Sequence, residues 1–236
     1  MKRIVALLLL PLLAFTFITC KKNNEGEQGK KGKLVKTVQD YAKNENGEWE
    51  ANVLQTFYYD TQNRLIKIDI NNGFSCVYYS YETNYIIITY TPDIYHADTL
   101  KFDNNGYLIS MGNTTFIYEN GYLKEKRVGN NVDNFYTWMN GNLVSVLYHD
   151  RNFEYSNRED LLNINIFDDI FDIYCGTLKL KGLSSKNYRI KSFSTKGDDI
   201  FATYKYTFGK DGYPTEIIFD VSDGNANDMK WIITYY

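Results

Sequence analysis

The chain predicts an all-β fold, an antiparallel up-and-down meander of tandem hairpins that forms a curled or barrel-like sheet. Three observations carry this. The 236 residues include 22 Tyr, 14 Phe and 3 Trp against 3 Pro, and aromatic and β-branched side chains suit pleated, half-buried surfaces. Seven glycines, at 47, 73, 106, 121, 141, 212 and 224, directly follow Asn or Asp, and Asn-Gly and Asp-Gly supply the positive φ angles of tight hairpin turns. Finally, one hairpin motif recurs five times along the chain.

The first residues stand apart from that domain. Lys2 and Arg3 precede a stretch from Ile4 to Ile18 that is apolar except at Pro11 and Thr16. A basic start and a short apolar core read residues 1–19 as a secretory signal peptide. About fifteen apolar residues fall short of the ~20 that a membrane-spanning helix needs. Phe17-Ile18-Thr19-Cys20 resembles the lipobox of bacterial lipoproteins, in a looser form than Leu-Ala-Gly-Cys. The resemblance implies that Cys20 is acylated and becomes the mature N-terminus, and two or three acyl chains anchor a protein firmly where one does not. Residues 21–33 hold no apolar side chain. Residues 20–33 are therefore expected to be a lipidated cysteine and a flexible tether, with a single β domain over 34–236. No acidic cluster follows Cys20, which leaves open whether the domain faces outward or into the periplasm.

Composition narrows the function. Cleavage before Cys20 leaves 217 residues, ample for one domain with a core. Without Lys2 and Arg3, 24 basic residues face 29 acidic ones, a net charge of −5. Nucleic acid is not an expected partner, because phosphate neutralisation needs a basic face. With Cys20 lipidated, Cys76 and Cys175 remain, and they read either as a disulfide or as two separate buried thiols. Their spacing is not that of a zinc site.

The hairpin motif is aromatic, any residue, aromatic, polar turn, any residue, then Leu or Pro. Three copies span 57–65, 100–108 and 206–214, with Leu100 as the first apolar residue of the second. Two copies, 116–123 and 136–143, are one residue shorter. Residues two apart share one face of a strand, and a one-residue difference fits a change of turn type or a bulge. Tyr204, Tyr206 and Phe208 alternate with Lys205 and Thr207. Met229 to Tyr235 alternates likewise except at Ile232, and Tyr85 to Tyr90 is apolar on both faces, as expected of a central strand. The count is ten to fourteen strands. The rhythm breaks at 156–190, where Ile164, Phe167, Phe171 and Tyr174 follow a 3,4,3 spacing that predicts a short helical insert near 162–175, stopped at Gly176.

The Phe57–Leu65 copy looks like the tyrosine–aspartate repeats of Rhs-type shell proteins, which carry dozens of copies. A fuller likeness covers nearly the whole mature chain. The lipobox, the tether, the tandem hairpins, and the Asn163-Ile164-Asn165 insert followed by Leu183-Ser184-Ser185-Lys186-Asn187 resemble an uncharacterised family of Bacteroidetes lipoproteins. The resemblance implies a porin-like β fold and brings no catalytic or binding residues.

The residues add little chemistry. His96, between Asp93 and Asp98, reads as a loop histidine, and His149-Asp150-Arg151 as a charged turn. The Gly-x-Ser-x-Gly elbow of serine hydrolases does not occur. Asp168, Asp169 and Asp172 read as a solvated face, although a carboxylate pair of the glycosidase kind depends only on spatial separation. Asp220, Asp223, Asn225, Asn227 and Asp228 crowd one hairpin without the calcium loop's closing Glu and read as turn residues. The expected function is an envelope-anchored, non-catalytic binding or structural module. Its expected partners are the outer membrane through Cys20 and a glycan or protein ligand, with no cofactor, metal or catalytic residue assigned. Two rivals stand beside it. One is a carboxylate-dependent envelope glycan hydrolase. The other is a small outer-membrane β-barrel, suggested by the aromatic end Trp231–Tyr236 and opposed by strand charges at Lys67, Lys124, Lys126 and Arg127.

Overall fold

The computed structural model describes residues 32–92, 97–167, 170, 177–194, 196, 199–221 and 228–236. Sixteen strands form one closed antiparallel barrel in which each strand pairs with its sequence neighbours and the last returns to the first. They are β1 (Val35–Lys43), β2 (Trp49–Tyr59), β3 (Leu65–Ile70), β4 (Ser75–Glu82), β5 (Tyr85–Thr91), β6 (Ala97–Phe102), β7 (Leu108–Met111) and β8 (Thr114–Glu119). Then follow β9 (Tyr122–Val128), β10 (Asn131–Met139), β11 (Asn142–Val146), β12 (Arg151–Glu159), β13 (Asn187–Ser194), β14 (Ile200–Phe208), β15 (Pro214–Val221) and β16 (Met229–Tyr235). The expected meander is correct and its closure is complete. Sixteen strands exceed the expected ten to fourteen because some turns read Gly-Asn, at 112–113 and 129–130, or Thr-Asn, at 83–84.

The repeated motif explains one end of the barrel. Where β2, β6, β8, β10 and β14 turn back, the register slips by one residue at Tyr58/Tyr59, Lys101/Phe102, Ile117/Tyr118, Thr137/Trp138 and Thr207/Phe208. Each slip is a bulge on the returning strand, and a bulge reverses the in–out alternation beyond it. Leu65 thus faces inward together with Ile68 and Ile70, while the bulged Ile66 is pushed out. The same reset buries Leu108, Leu123, Leu143 and Pro214, which is why the motif ends in Leu or Pro.

Aromatic groups then bond the carbonyls beside these strand starts. Tyr81 donates to Leu65 O (2.8 Å), Trp138 Nε1 to Leu123 O (2.7 Å), Tyr155 to Leu143 O (2.7 Å) and Tyr235 to Pro214 O (2.6 Å). Tyr59 donates to Val35 O (2.9 Å) and Tyr206 to Arg189 O (2.7 Å). The Tyr118 hydroxyl is buried without a partner. Burial pushes the Tyr59 and Tyr81 hydroxyls up to about 12, so they remain donors at all physiological pH.

Turn chemistry accounts for the two motif lengths. In two of the three long copies an Asp side chain caps the turn: Asp60 Oδ1 accepts from the amides of Gln62 (2.8 Å) and Arg64 (2.9 Å), and Asp103 Oδ1 from those of Asn105 and Tyr107 (both 2.9 Å), whereas Gly209 stands at that position in the third. A left-handed residue follows, Asn63 (φ 63°) or Gly106 (φ 80°). The short copies use two left-handed residues, Asn120-Gly121 and Asn140-Gly141, the two-residue hairpin form.

Inside, the wall is apolar. Phe57, Ile68, Val77, Ile88, Leu100, Leu108, Leu123, Val146 and Ile217 are fully buried and share one cluster with Leu162, Ile164, Ile170, Leu178 and Leu183 of the segment between β12 and β13. That segment fills the lumen. Residues 161–167 and 170 contain no helix; Ile164 forms a β-bridge with Leu178 instead. The expected helix near 162–175 is therefore corrected over 162–167 and at 170, whereas 168–169 and 171–176 lie outside the described residues. Ile164 and Phe167 are apolar because they pack into the barrel core, Ile164 in the buried cluster and Phe167 against it.

The outer wall is mixed, with exposed Tyr58, Ile66, Tyr78, Ile109, Ile117 and Phe201 standing among charged and polar side chains. Its ion pairs include Lys67–Asp69 (3.0 Å), Lys205–Asp220 (3.2 Å), Lys191–Glu154 (3.7 Å) and Arg127–Glu125. Lys126 is the exception among the strand charges, reaching the carbonyl of core residue Ile170 at 3.1 Å. Strand β5 presents Ile86 and Ile88 inward, and an exposed Tyr85 with a half-buried Ile87 outward.

Two predictions follow from these contacts. Tyr59→Phe removes both the bond to Val35 O and the acceptor for Asn163 Nδ2, and should cost about 1–3 kcal/mol in urea unfolding with an unchanged m-value. The Arg64 and Tyr107 amides lead the interactions that hold Asp60 and Asp103 below the ordinary carboxylate range. Their contribution is complete above about pH 4, the unfolded-state value, and is lost as pH falls through the lower folded-state value. The melting temperature should drop on acidification below pH ~4, and the double variant Asp60→Asn, Asp103→Asn should flatten that slope.

Candidate functional site

The segment from Asp160 to Lys186 organises the end of the barrel that holds the motif turns. Its neck closes where the Asp160 amide donates to Lys186 O (2.8 Å). Asn163 Oδ1 accepts from the Val35 amide (2.9 Å) while its Nδ2 donates to Tyr59 Oη (2.9 Å). Asn165 bonds Thr177 O through its amide (3.0 Å) and Leu178 O through Nδ2 (3.2 Å). The Leu143 amide donates to Ser185 Oγ (3.0 Å), and Asn142 and Asn187 bond each other twice. The Asn-Ile-Asn and Ser-Ser-Lys-Asn stretches are thus anchors. Gly182 passes against the Asn120-Gly121 turn, where an added Cβ would lie 2.5 Å from Gly121 O; only glycine fits.

Two cavities are lined in part by this segment, and a third lies in the wall between β9 and β10. The first, of about 60 Å³, lies among Asp160, Ser184, Asn187, Tyr188, Arg189 and Tyr206. That volume holds about two waters, not a substrate. Arg189 is only 9% exposed and stacks its guanidinium 4.0 Å from the Phe153 ring centre, with Phe167 and Tyr204 beyond. Asp160 pairs with Lys179 (2.8 Å), and desolvation holds its carboxyl above the usual range despite that pairing. The second cavity, of about 210 Å³, is bordered by Arg64, Tyr81, Asn163 and Lys179.

The third, of about 390 Å³, opens at a seam in the wall. The β9–β10 ladder runs from Asn131↔Val128 to Phe135↔Glu125 and stops. Beyond it, the Leu123 amide donates to Gly182 O (3.0 Å) and its carbonyl accepts from Trp138 Nε1 (2.7 Å). The insert and an indole therefore satisfy Leu123 in place of a backbone partner on β10. Tyr122 stacks on Trp138 with ring centres 5.0 Å apart, Phe135 and Thr137 form one side, and Glu119 and Lys124, paired at 2.9 Å, form the lip. Ligand sites are commonly ~300–1,000 Å³, mostly apolar with a few placed polar groups, and the seam matches that description.

Of the residues singled out in the sequence, those that the structure describes are not gathered into one site. Cys20, His96, Asp168, Asp169, Asp172, Cys175, Asp223, Asn225 and Asn227 lie outside the described residues. Cys76 is a buried free thiol, and His149 is exposed in the turn at 147–150. Asp220 pairs with Lys205, while Asp228 pairs with Lys43 and accepts from the Val221 amide (3.0 Å). Among the described residues, no three His, Cys, Asp or Glu side chains are placed to hold a metal. Sequence reading named Trp138 only as a motif aromatic and missed the seam, whose one local signal is that both flanking hairpins are the short, two-residue-turn copies.

The architecture defines a closed, up-and-down all-β barrel with a filled lumen. No protein-family model matches the chain, and no curated protein matches it. Similar solved structures include two porin-like proteins. A porin-like protein from Bacteroides uniformis ATCC 8492 aligns with a TM-score of 0.55 at 14% identity, over 87% of this chain and 99% of that one. A porin-like protein from Bacteroides vulgatus ATCC 8482 aligns with a TM-score of 0.58 at 13% identity, over 86% and 99%. The porin-like β fold implied by the sequence resemblance is thus present.

The Asp160–Lys179 pair provides a test of the insert. Lys179→Met leaves a largely buried carboxylate without its cation and should destabilise by about 3–5 kcal/mol. Adding Asp160→Asn should recover at least half of that in a double-mutant cycle read by chemical denaturation.

Proposed function

We propose that the protein is a lipid-tethered, non-catalytic binding module of the cell envelope, held at the outer membrane through acylated Cys20 with its barrel in water. The observation that carries this is the set of paired charges on the outer wall over a packed, mostly apolar interior. A membrane barrel is apolar outside and polar within, and a Lys or Arg facing lipid at mid-bilayer costs about 2–4 kcal/mol. Here most inward positions are apolar and packed, while Lys67, Arg127, Lys191 and Lys205 pair with carboxylates on an outer wall that also exposes apolar residues such as Ile66 and Ile109. Strands of 4 and 5 residues, β7 and β11, are also short of the ~9–11 that span a bilayer. The porin-like neighbours support architecture, and the filled lumen argues against conduction. The hydrolase reading gains no support from the described carboxylates Asp160, Asp220 and Asp228, which are each tied to a lysine.

Two fractionations test the reading. The chain lacking residues 1–20 should remain in the supernatant of an ultracentrifuge run without detergent. The full chain should sediment with membranes, and Cys20→Ala should free it into the soluble fraction. A Cys20→Ala protein that still needs detergent would mean that the barrel itself enters the bilayer.

A further inference from the structure

The geometry points to the β9–β10 seam as a binding site for a short neutral saccharide. This rests on the binding-module reading above and specifies its site and ligand class. A wall strand pair that parts while its tips stay fixed makes a preformed cleft. The parting is built in, because Leu123 spends its two backbone groups on Gly182 and on the Trp138 indole. The cleft combines an aromatic side, from Tyr122, Phe135 and Trp138, with hydrogen-bonding groups at Glu119, Lys124 and Thr137.

The chemistry of the lining selects among occupants. Glu119 accepts, Lys124 donates, and Thr137 can do either, a set that suits hydroxyl groups, which both donate and accept. Glu119 and Lys124 are about half-exposed, at 58% and 48%, and neutralise each other, so neither an anion nor a cation is favoured. Aromatic side chains offer an apolar body to the C–H face of a sugar ring. An extended peptide completing the ladder would have to part the tips, and the Trp138 Nε1–Leu123 O bond already spans that gap. A compact ligand seated outside this bond leaves it intact.

The chain carries Trp at 49, 138 and 231, giving three indole N–H signals in a proton–nitrogen correlation spectrum. The labelled chain lacking residues 1–20 would be titrated with neutral di- to tetrasaccharides of glucose, galactose and mannose. At least one should move the Trp138 signal saturably while Trp49 and Trp231 stay in place. The exposed double variant Glu119→Gln, Lys124→Met should weaken that response about tenfold with an unchanged melting temperature, and Thr137→Val should weaken it independently. A Trp138 signal indifferent to the whole panel overturns the site, as does a response that neither variant alters or one confined to Trp49 or Trp231. Failure of the tethered-module reading shows instead as a barrel that needs detergent, so the two outcomes are separable.

Discussion

A closed sheet of sixteen strands must either flood its interior or fill it, and the rest of this structure depends on filling. Porin barrels of similar strand number enclose water. Here the interior is a hydrophobic core, so the wall must supply apolar side chains inward around the full ring. The segment between β12 and β13 contributes Leu162, Ile164, Ile170, Leu178 and Leu183 to occupy what the wall cannot reach. Each fully buried side chain of this size contributes about 1.5–3 kcal/mol relative to exposure. Filling with chain rather than water also brings polar backbone inside, and buried backbone must be paired. The many side-chain bonds of Asn163, Asn165, Ser185 and Asn187 answer that need.

The same demand shapes the hairpin motif. A plain hairpin would turn its returning leucine outward. One bulge per hairpin turns it inward, and the aromatic group beside it bonds the carbonyl at that strand start. Turn, bulge, leucine and aromatic donor act as one unit, repeated around the mouth where the insert docks. With the core face committed inward, the outward positions carry lysine, glutamate and threonine beside exposed apolar residues such as Ile66, Ile109 and Ile117.

Much of this was legible because it is local. Asn-Gly, Asp-x-x-Asn and aromatic-x-aromatic each act within a few residues, and they announced the hairpins, the two turn lengths and the all-β class. Gly112-Asn113 and Gly129-Asn130 invert the usual order, so their strands went uncounted. The helix was misread because Ile164 and Phe167 are apolar for a non-periodic reason: Ile164 bridges Leu178, and Phe167 lies edge-on to Tyr204 and Trp231. The seam was illegible for a third reason. It arises where the ladder between two hairpins fails, through a glycine about sixty positions away, and no local pattern encodes that.

The pairing of β1 with β16 has a consequence for biogenesis. Val35 meets Tyr235, and the Tyr236 amide donates to Leu34 O (3.1 Å), so the final contacts join the two extremes of the domain. Such distant contacts place a large loop-closure entropy ahead of their reward. A chain emerging from its N-terminus exposes the free edge of β1 until its last residues arrive, and an unpaired edge is a template for wrong partners. The barrel thus has no closed form before β16 is made, and its early segments depend on remaining unpaired, or on being shielded, until that strand arrives.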